Sequence, residues 1–228
     1  MRDKLLFVLA AIAGALLIRN FYVILLRLPD EARQGEIWRV FTVHLPAAVV
    51  SSTGFYVALA FGLLYLWKRN LWFDAMAASI NEVSFALAMI TLVTGSIWAR
   101  IIWGVWWAWD ARLTSYFVCL LIYSGYFMLR RVIDEPSTRA RLSAVLSVFG
   151  CVNMVIVWKS IEWWNTLHPR PVLSIRTGGG RIDPAFESAA WWNVFAMLLL
   201  ATVLVFARSR QEESQREVDA LRRLAHTV

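Results

Sequence analysis

The block AMAASINEVSFALAMITLVTGSIW, residues 75–98, decides the fold class: twenty-four residues with a single charge, Glu82. An apolar helix of about 20 residues, rising about 1.5 Å per residue, crosses a hydrocarbon core of about 30 Å. Five further blocks of the same kind flank it, over residues 5–26, 46–67, 114–129, 142–163 and 191–207. The chain has 228 residues, 59% of them hydrophobic and only 17% charged, against about a quarter charged in soluble domains. The expectation is an all-α polytopic membrane protein. Residues 1–208 form a six-helix membrane domain and residues 209–228 a charged cytoplasmic tail, with Val218, Leu221 and Leu224 at helical spacing.

The net charge of +7 does not indicate a nucleic-acid partner, because the Lys and Arg residues sit in short connections between apolar blocks, the pattern that orients a membrane protein. Arg2, Lys4, Lys68, Arg69, Arg130, Arg131, Arg139, Arg141 and the tail arginines mark one set of ends as cytoplasmic. Both termini then lie inside, and three longer segments (29–44, 100–112 and 164–188) face outward. The first block is expected to be a retained helix, having no small-residue cleavage signal after it. Cys119 and Cys151 lie inside apolar blocks and read as small core residues. Arg19, Glu82 and Lys159 are charges within or near spans, where ionic groups normally face protein interior or a partner.

The outward segments hold the unusual residues. WGVWWAWDAR, residues 103–112, carries four of the chain's thirteen tryptophans. Interfacial belts account for one or two Trp per helix end, not for four in one segment. If the segment is helical, Trp103, Trp106, Trp107 and Asp110 follow i, i+3, i+4, i+7 and line one face, a shelf for a large flat apolar ligand. His44 precedes Pro46 at the start of the second span, and His168 lies at the outer end of the fifth, four residues after Trp164, on the same helix face if the helix continues. A lone interfacial histidine usually satisfies a backbone group. Two beside an aromatic shelf suit a porphyrin iron, for which imidazole is a common axial ligand. His226, in the tail, reads as solvated. Arg100, Arg112, Arg170, Arg176 and Arg181 are candidates for pairing propionates, or merely solvate their loops. Asp110 reads as a cap or an arginine partner.

WGVWWAWDAR resembles the Trp-rich WWD signature of membrane heme-handling proteins. With VTGSIWAR, VHLPAA and EWWNTLH in order across six spans, residues 35–206 resemble the heme exporter protein C (CcmC) family. The resemblance implies a bacterial inner-membrane protein of cytochrome c biogenesis. Such a protein binds heme b (iron protoporphyrin IX) on its periplasmic side and delivers it to the heme chaperone CcmE, alongside the ATP-binding cassette pair CcmA and CcmB, the small membrane protein CcmD and membrane lipid. It implies His44 and His168 as iron ligands. Trp103, Trp106, Trp107, Trp109 and Asp110 fall where the family holds the heme edge and meets the chaperone, and Trp164, Arg100 and Arg112 are further cofactor-binding candidates. The absence of a phosphate-binding loop or an acid–base pair in the outer segments points away from an enzyme. Rival readings are a WWD-type heme lyase, which has more spans and histidines, a solute transporter, which this chain's lack of repeat symmetry disfavours, and a structural subunit with an aromatic belt.

Overall fold

The computed structural model describes residues 2–169 and 182–225. Six helices long and apolar enough to cross a membrane follow one another: α1 (Arg2–Leu26), α2 (Phe41–Lys68), α3 (Leu71–Ile102), α4 (Ala111–Val132), α5 (Pro136–Trp163) and α6 (Pro184–Ala225). A short 3₁₀ turn, Glu36–Val40, leads into α2. Each span expected from the sequence is present, with helices reaching several residues beyond the apolar blocks.

Connections differ sharply at the two ends. Only Arg69 and Asn70 separate α2 from α3, and only residues 133–135 separate α4 from α5. Arg69 takes a left-handed conformation (φ 55°) to end α2, and the Asn70 side chain accepts the Trp72 amide to start α3. Glu135 caps α5 by accepting the Ser137 and Thr138 amides, with Pro136 in the first turn. The three long connections all lie at the opposite end.

α2 is the central helix, packing against α3, α5 and α6. Phe55 of α2 stacks on Tyr123 of α4 at 3.8 Å between ring centroids, in a core with Ala88, Cys119, Cys151 and Met154. Both cysteines are buried and unbridged, as expected of small core residues. A second cluster joins Ala47 and Val50 of α2 to Leu87 of α3 and Met197 of α6.

α2 carries a defect that the bundle repairs. Pro46 lies inside the helix and has no N–H, which leaves the carbonyl four residues back, that of Thr42, without its intrahelical donor. The fully buried Asn193 side chain of α6 supplies that bond at 2.7 Å, and its carbonyl oxygen accepts from Asn20 of α1 at 3.2 Å. Three helices are thus tied through two side-chain amides, as a backbone group in lipid requires.

α6 runs unbroken to Ala225, so the charged tail continues the sixth span. Its polar turns are also engaged. Arg208 pairs with Glu82 at 2.6 Å, Arg130 pairs with both Asp74 (2.7 Å) and Glu212 (3.1 Å), and Arg216 reaches Asp74 and the Leu71 carbonyl. Glu82, conspicuous in the opening block, therefore has a helix partner. Lys159 pairs with Glu162 one turn on.

Candidate functional site

At the end with the long connections, α2, α3, α4 and α5 part to leave a cleft enclosing about 1090 Å³ of space with its open mouth included. His44, Trp103, Trp107, Arg112 and His168 all line it, so one concavity collects two histidines, two of the expected tryptophans and one arginine. Sequence reasoning missed Trp98 of α3, Trp158 of α5, Tyr116 of α4 and Gln34 of the first loop, which also form its walls.

The Trp-rich segment is not a helix. α3 ends at Ile102, Trp103 caps it, and Gly104 takes a left-handed φ of 76°, the usual way to stop a helix. Asp110 then caps α4 by accepting the Leu113 amide at 2.8 Å. The segment between is a loop, so no shelf arises from helical spacing. Its rings are sorted by loop geometry instead. Trp107 meets Trp109 and Phe117 of α4 edge-on, at 5.9 and 6.1 Å. Trp106 and Trp109 are 60% and 73% exposed and do not line the cleft. Arg100 donates to the Gly104 carbonyl and closes the turn.

The fifth span also ends sooner than the Trp164–His168 pairing assumed. α5 stops at Trp163, Trp164 is extended, and His168 stands in the loop beyond. Trp164 packs edge-on against Trp163 and lies off the cleft. What brings His168 to the cleft is Asp110. Its second carboxylate oxygen accepts the Leu167 amide at 2.9 Å, so one residue caps α4 and tethers the chain just beyond α5. Arg170, Arg176, Arg181 and His226 lie outside the described residues.

Hydrogen bonding fixes the state of each imidazole. The Thr94 hydroxyl donates its one proton to a backbone carbonyl of its own helix, that of Ile90 at 2.7 Å. With its proton so placed, the hydroxyl is positioned to accept at 3.1 Å from a protonated His44 Nδ1. His168 Nδ1 faces the Pro169 carbonyl at 2.9 Å, an acceptor only, so it too is protonated. In both neutral rings the lone pair resides on Nε2, the arrangement of a metal-ready histidine. Burial, and next the Arg112 guanidinium, push His168 down to about 4, so the ring is neutral at pH 7.

The walls hold these groups in place. The Trp98 ring stands edge-on to His44 at 5.9 Å and donates its Nε1–H to Gln34 at 2.8 Å, which fastens the segment between α1 and α2 over the cleft. Gly95 faces the His44 ring so closely that a Cβ there would lie 2.8 Å from Cε1. Arg112 donates to the Val157 carbonyl at 3.0 Å and lies over the Trp158 ring at 5.3 Å. Trp107 Nε1–H is buried with no partner among the described residues, an unmet donor on the cleft wall. Among those residues no three His, Cys, Asp or Glu side chains converge as a metal set.

Fold and site together define a polytopic membrane protein whose six-helix bundle opens at one end into an aromatic cleft bearing two histidines and an arginine. The model of the heme exporter protein C family matches residues 1–224. The heme exporter protein C of Escherichia coli K12 is 38% identical over 186 residues, covering 80% of this chain and 73% of that one. Its counterpart in Bradyrhizobium diazoefficiens is 36% identical over 195 residues (85% and 73%), and that of Paracoccus denitrificans 30% over 194 (85% and 80%). The chain belongs to the heme exporter protein C family.

Proposed function

We propose that the protein handles heme in cytochrome c biogenesis, holding it in the cleft at the periplasmic face of the bacterial inner membrane and delivering it to the heme chaperone CcmE. Family membership supports the heme-handling role. The observation that carries the site is that His44 and His168, 124 positions apart, line one cleft, each with Nδ1 engaged by a protein oxygen, which leaves Nε2 for a ligand. Heme supplies an iron with two axial positions, a flat apolar macrocycle and two propionates. The residues present fit it. Two imidazoles can serve as ligands, Trp98, Trp103 and Trp158 give apolar walls, and Arg112 with the unmet Trp107 N–H suits a carboxylate.

The arginine-rich short turns support a cytoplasmic placement for that end and for both termini, and hence a periplasmic cleft. Trp106, Trp109, Trp163 and Trp164, all more than half exposed, form an apolar rim on which CcmE is proposed to dock. CcmA, CcmB and CcmD are the further partners that the family implies. The protein's own work is to ligate, orient and shield its cargo, and any ATP use belongs to a partner.

Purified protein titrated with hemin tests the ligand set. His44→Ala and His168→Ala are each expected to weaken binding at least about tenfold, the scale of losing one directed metal contact, and to shift the Soret band. Unchanged spectra and affinity in both variants would refute the assignment. Replacing Trp106 and Trp109 together by Ala is expected to cut transfer to CcmE while hemin affinity stays native and the protein still inserts; transfer at the native rate would remove the docking role.

A further inference from the structure

Arg19 is a charge on the membrane-facing side of α1 that the heme site does not use. It lies seven residues before the end of α1, about 10 Å below it at the helical rise, and its surroundings in α1 are exposed Ile18, Phe21 and Tyr22. Its guanidinium lies over the Trp192 ring at 5.3 Å and donates to Asn20 at 3.2 Å. Arg27, just past the end of α1, stacks on Tyr22 at 5.5 Å and donates to its hydroxyl. Among the described residues neither arginine has a carboxylate within ion-pair distance; Asp183, at the start of α6, spends its carboxylate on the Ala185 amide.

Both arginines, with Ser188 and Trp192 of α6, line one groove between α1 and α6, enclosing about 600 Å³ with its open side included. The groove is partly open, and α1 beside it exposes Ile18, Phe21 and Tyr22, side chains suited to lipid. A cation about 10 Å below the helix end, with a second just past that end, is costly unless something anionic reaches them from the membrane.

We propose that this groove is a binding site for an anionic phospholipid. The headgroup phosphate lies between Arg19 and Arg27 near the first turns of α6, and the acyl chains run down the apolar α1 face. Charge complementarity favours a lipid, because the site runs from Arg27 at the helix end down to Arg19, a span that a phosphate tethered to acyl chains can occupy and a free anion must be dehydrated to enter. The lipid would occupy the leaflet on which the cleft opens.

The test uses the full-length protein in mixed micelles, comparing retained phosphatidylglycerol with phosphatidylcholine by native mass spectrometry. Wild type is expected to retain phosphatidylglycerol preferentially. Arg19→Gln and Arg27→Gln should each reduce that preference about fivefold, with helicity and melting temperature in phosphatidylcholine unchanged. Arg131→Gln, at the other end of the bundle, should keep it. Equal retention of the two lipids, or a preference that survives the double variant, overturns the proposal. So does equal protection by inorganic phosphate, which would make the groove a free-anion site. A co-purifying polypeptide lost with the same two arginines, without any lipid preference, would replace the lipid with a protein partner.

Discussion

One carbon atom at position 95 is enough to disturb the site. A Cβ built on Gly95 falls 2.8 Å from His44 Cε1, inside any tolerated contact, and the imidazole is the group free to yield. Gly95→Ala is therefore expected to rotate His44 away from Thr94, breaking the bond that protonates Nδ1, and to lower heme affinity about tenfold or more, as loss of an orienting partner does. Gly125→Ala is the matched control, since nothing lies within 4 Å of its added carbon. It should leave affinity untouched and, in a helix interior, add roughly 0.5–1 kcal/mol of stability. Hemin titration of the two variants checks this, and equal affinities would mean that His44 is not held by its neighbours. Such roles were invisible in the linear sequence. Gly95 and Thr94 sit in the same apolar block as exposed Met89, Ile90, Val93 and Ile97, and nothing in their spacing sets them apart.

At the scale of elements, the cleft is made by departures from regular helix. Pro46 frees the Thr42 carbonyl two residues from His44, and Asn193 repairs it from another helix. Asn193→Leu removes the donor and strands a buried carbonyl, which should cost about 1–2 kcal/mol, the low end for an unmet buried group because polar bonds between membrane helices are individually modest. Asn193→Asp would leave the carbonyl facing an acceptor and should be worse. Thermal unfolding in detergent, followed by circular dichroism, checks the order. The spans themselves were legible because a bilayer imposes a one-dimensional rule on composition. Where they end was less so. Gly104 and Asp110 are the ordinary stop and start signals of α3 and α4, and weighing them would have shown the Trp-rich segment to be a loop. The four-residue spacing of Trp164 and His168 misled in the same way, because α5 ends at Trp163. His44 and His168 stood out because histidine is scarce in this chain and the arginine pattern put both at one end of the bundle, where they line one cleft. Trp98, Trp158 and Tyr116 were passed over, because an aromatic inside an apolar block reads alike whether it faces a cleft or lipid.

For the whole molecule, the question is what holds six helices together at the end away from the cleft, where the turns are too short to wrap the bundle. Asp74 is 3% exposed and receives Arg130 of α4 through both carboxylate oxygens and Arg216 from the far part of α6. Glu212 joins the same two arginines. Three helices therefore converge on one carboxylate. Asp74→Asn would leave two largely buried guanidiniums sharing Glu212 alone. Breaking a buried pair by removing one partner costs about 3–5 kcal/mol, and the partial exposure of Arg216 argues for the lower figure. Glu82→Gln provides the comparison, because Glu82 and Arg208 are 51% and 33% exposed and such pairs are worth about 1 kcal/mol or less. The expected result is a large drop in melting temperature for Asp74→Asn, a small one for Glu82→Gln, and, in the first variant only, faster hydrogen exchange and proteolysis in α6 beyond Phe206. Replacing Asp74 and Arg130 together by Leu and Met should recover part of the loss, because the costly state is an unpaired buried charge rather than a missing bond. Equal melting temperatures for Asp74→Asn and Glu82→Gln would mean that the far end of α6 is held by apolar packing and that its charges only keep it wetted.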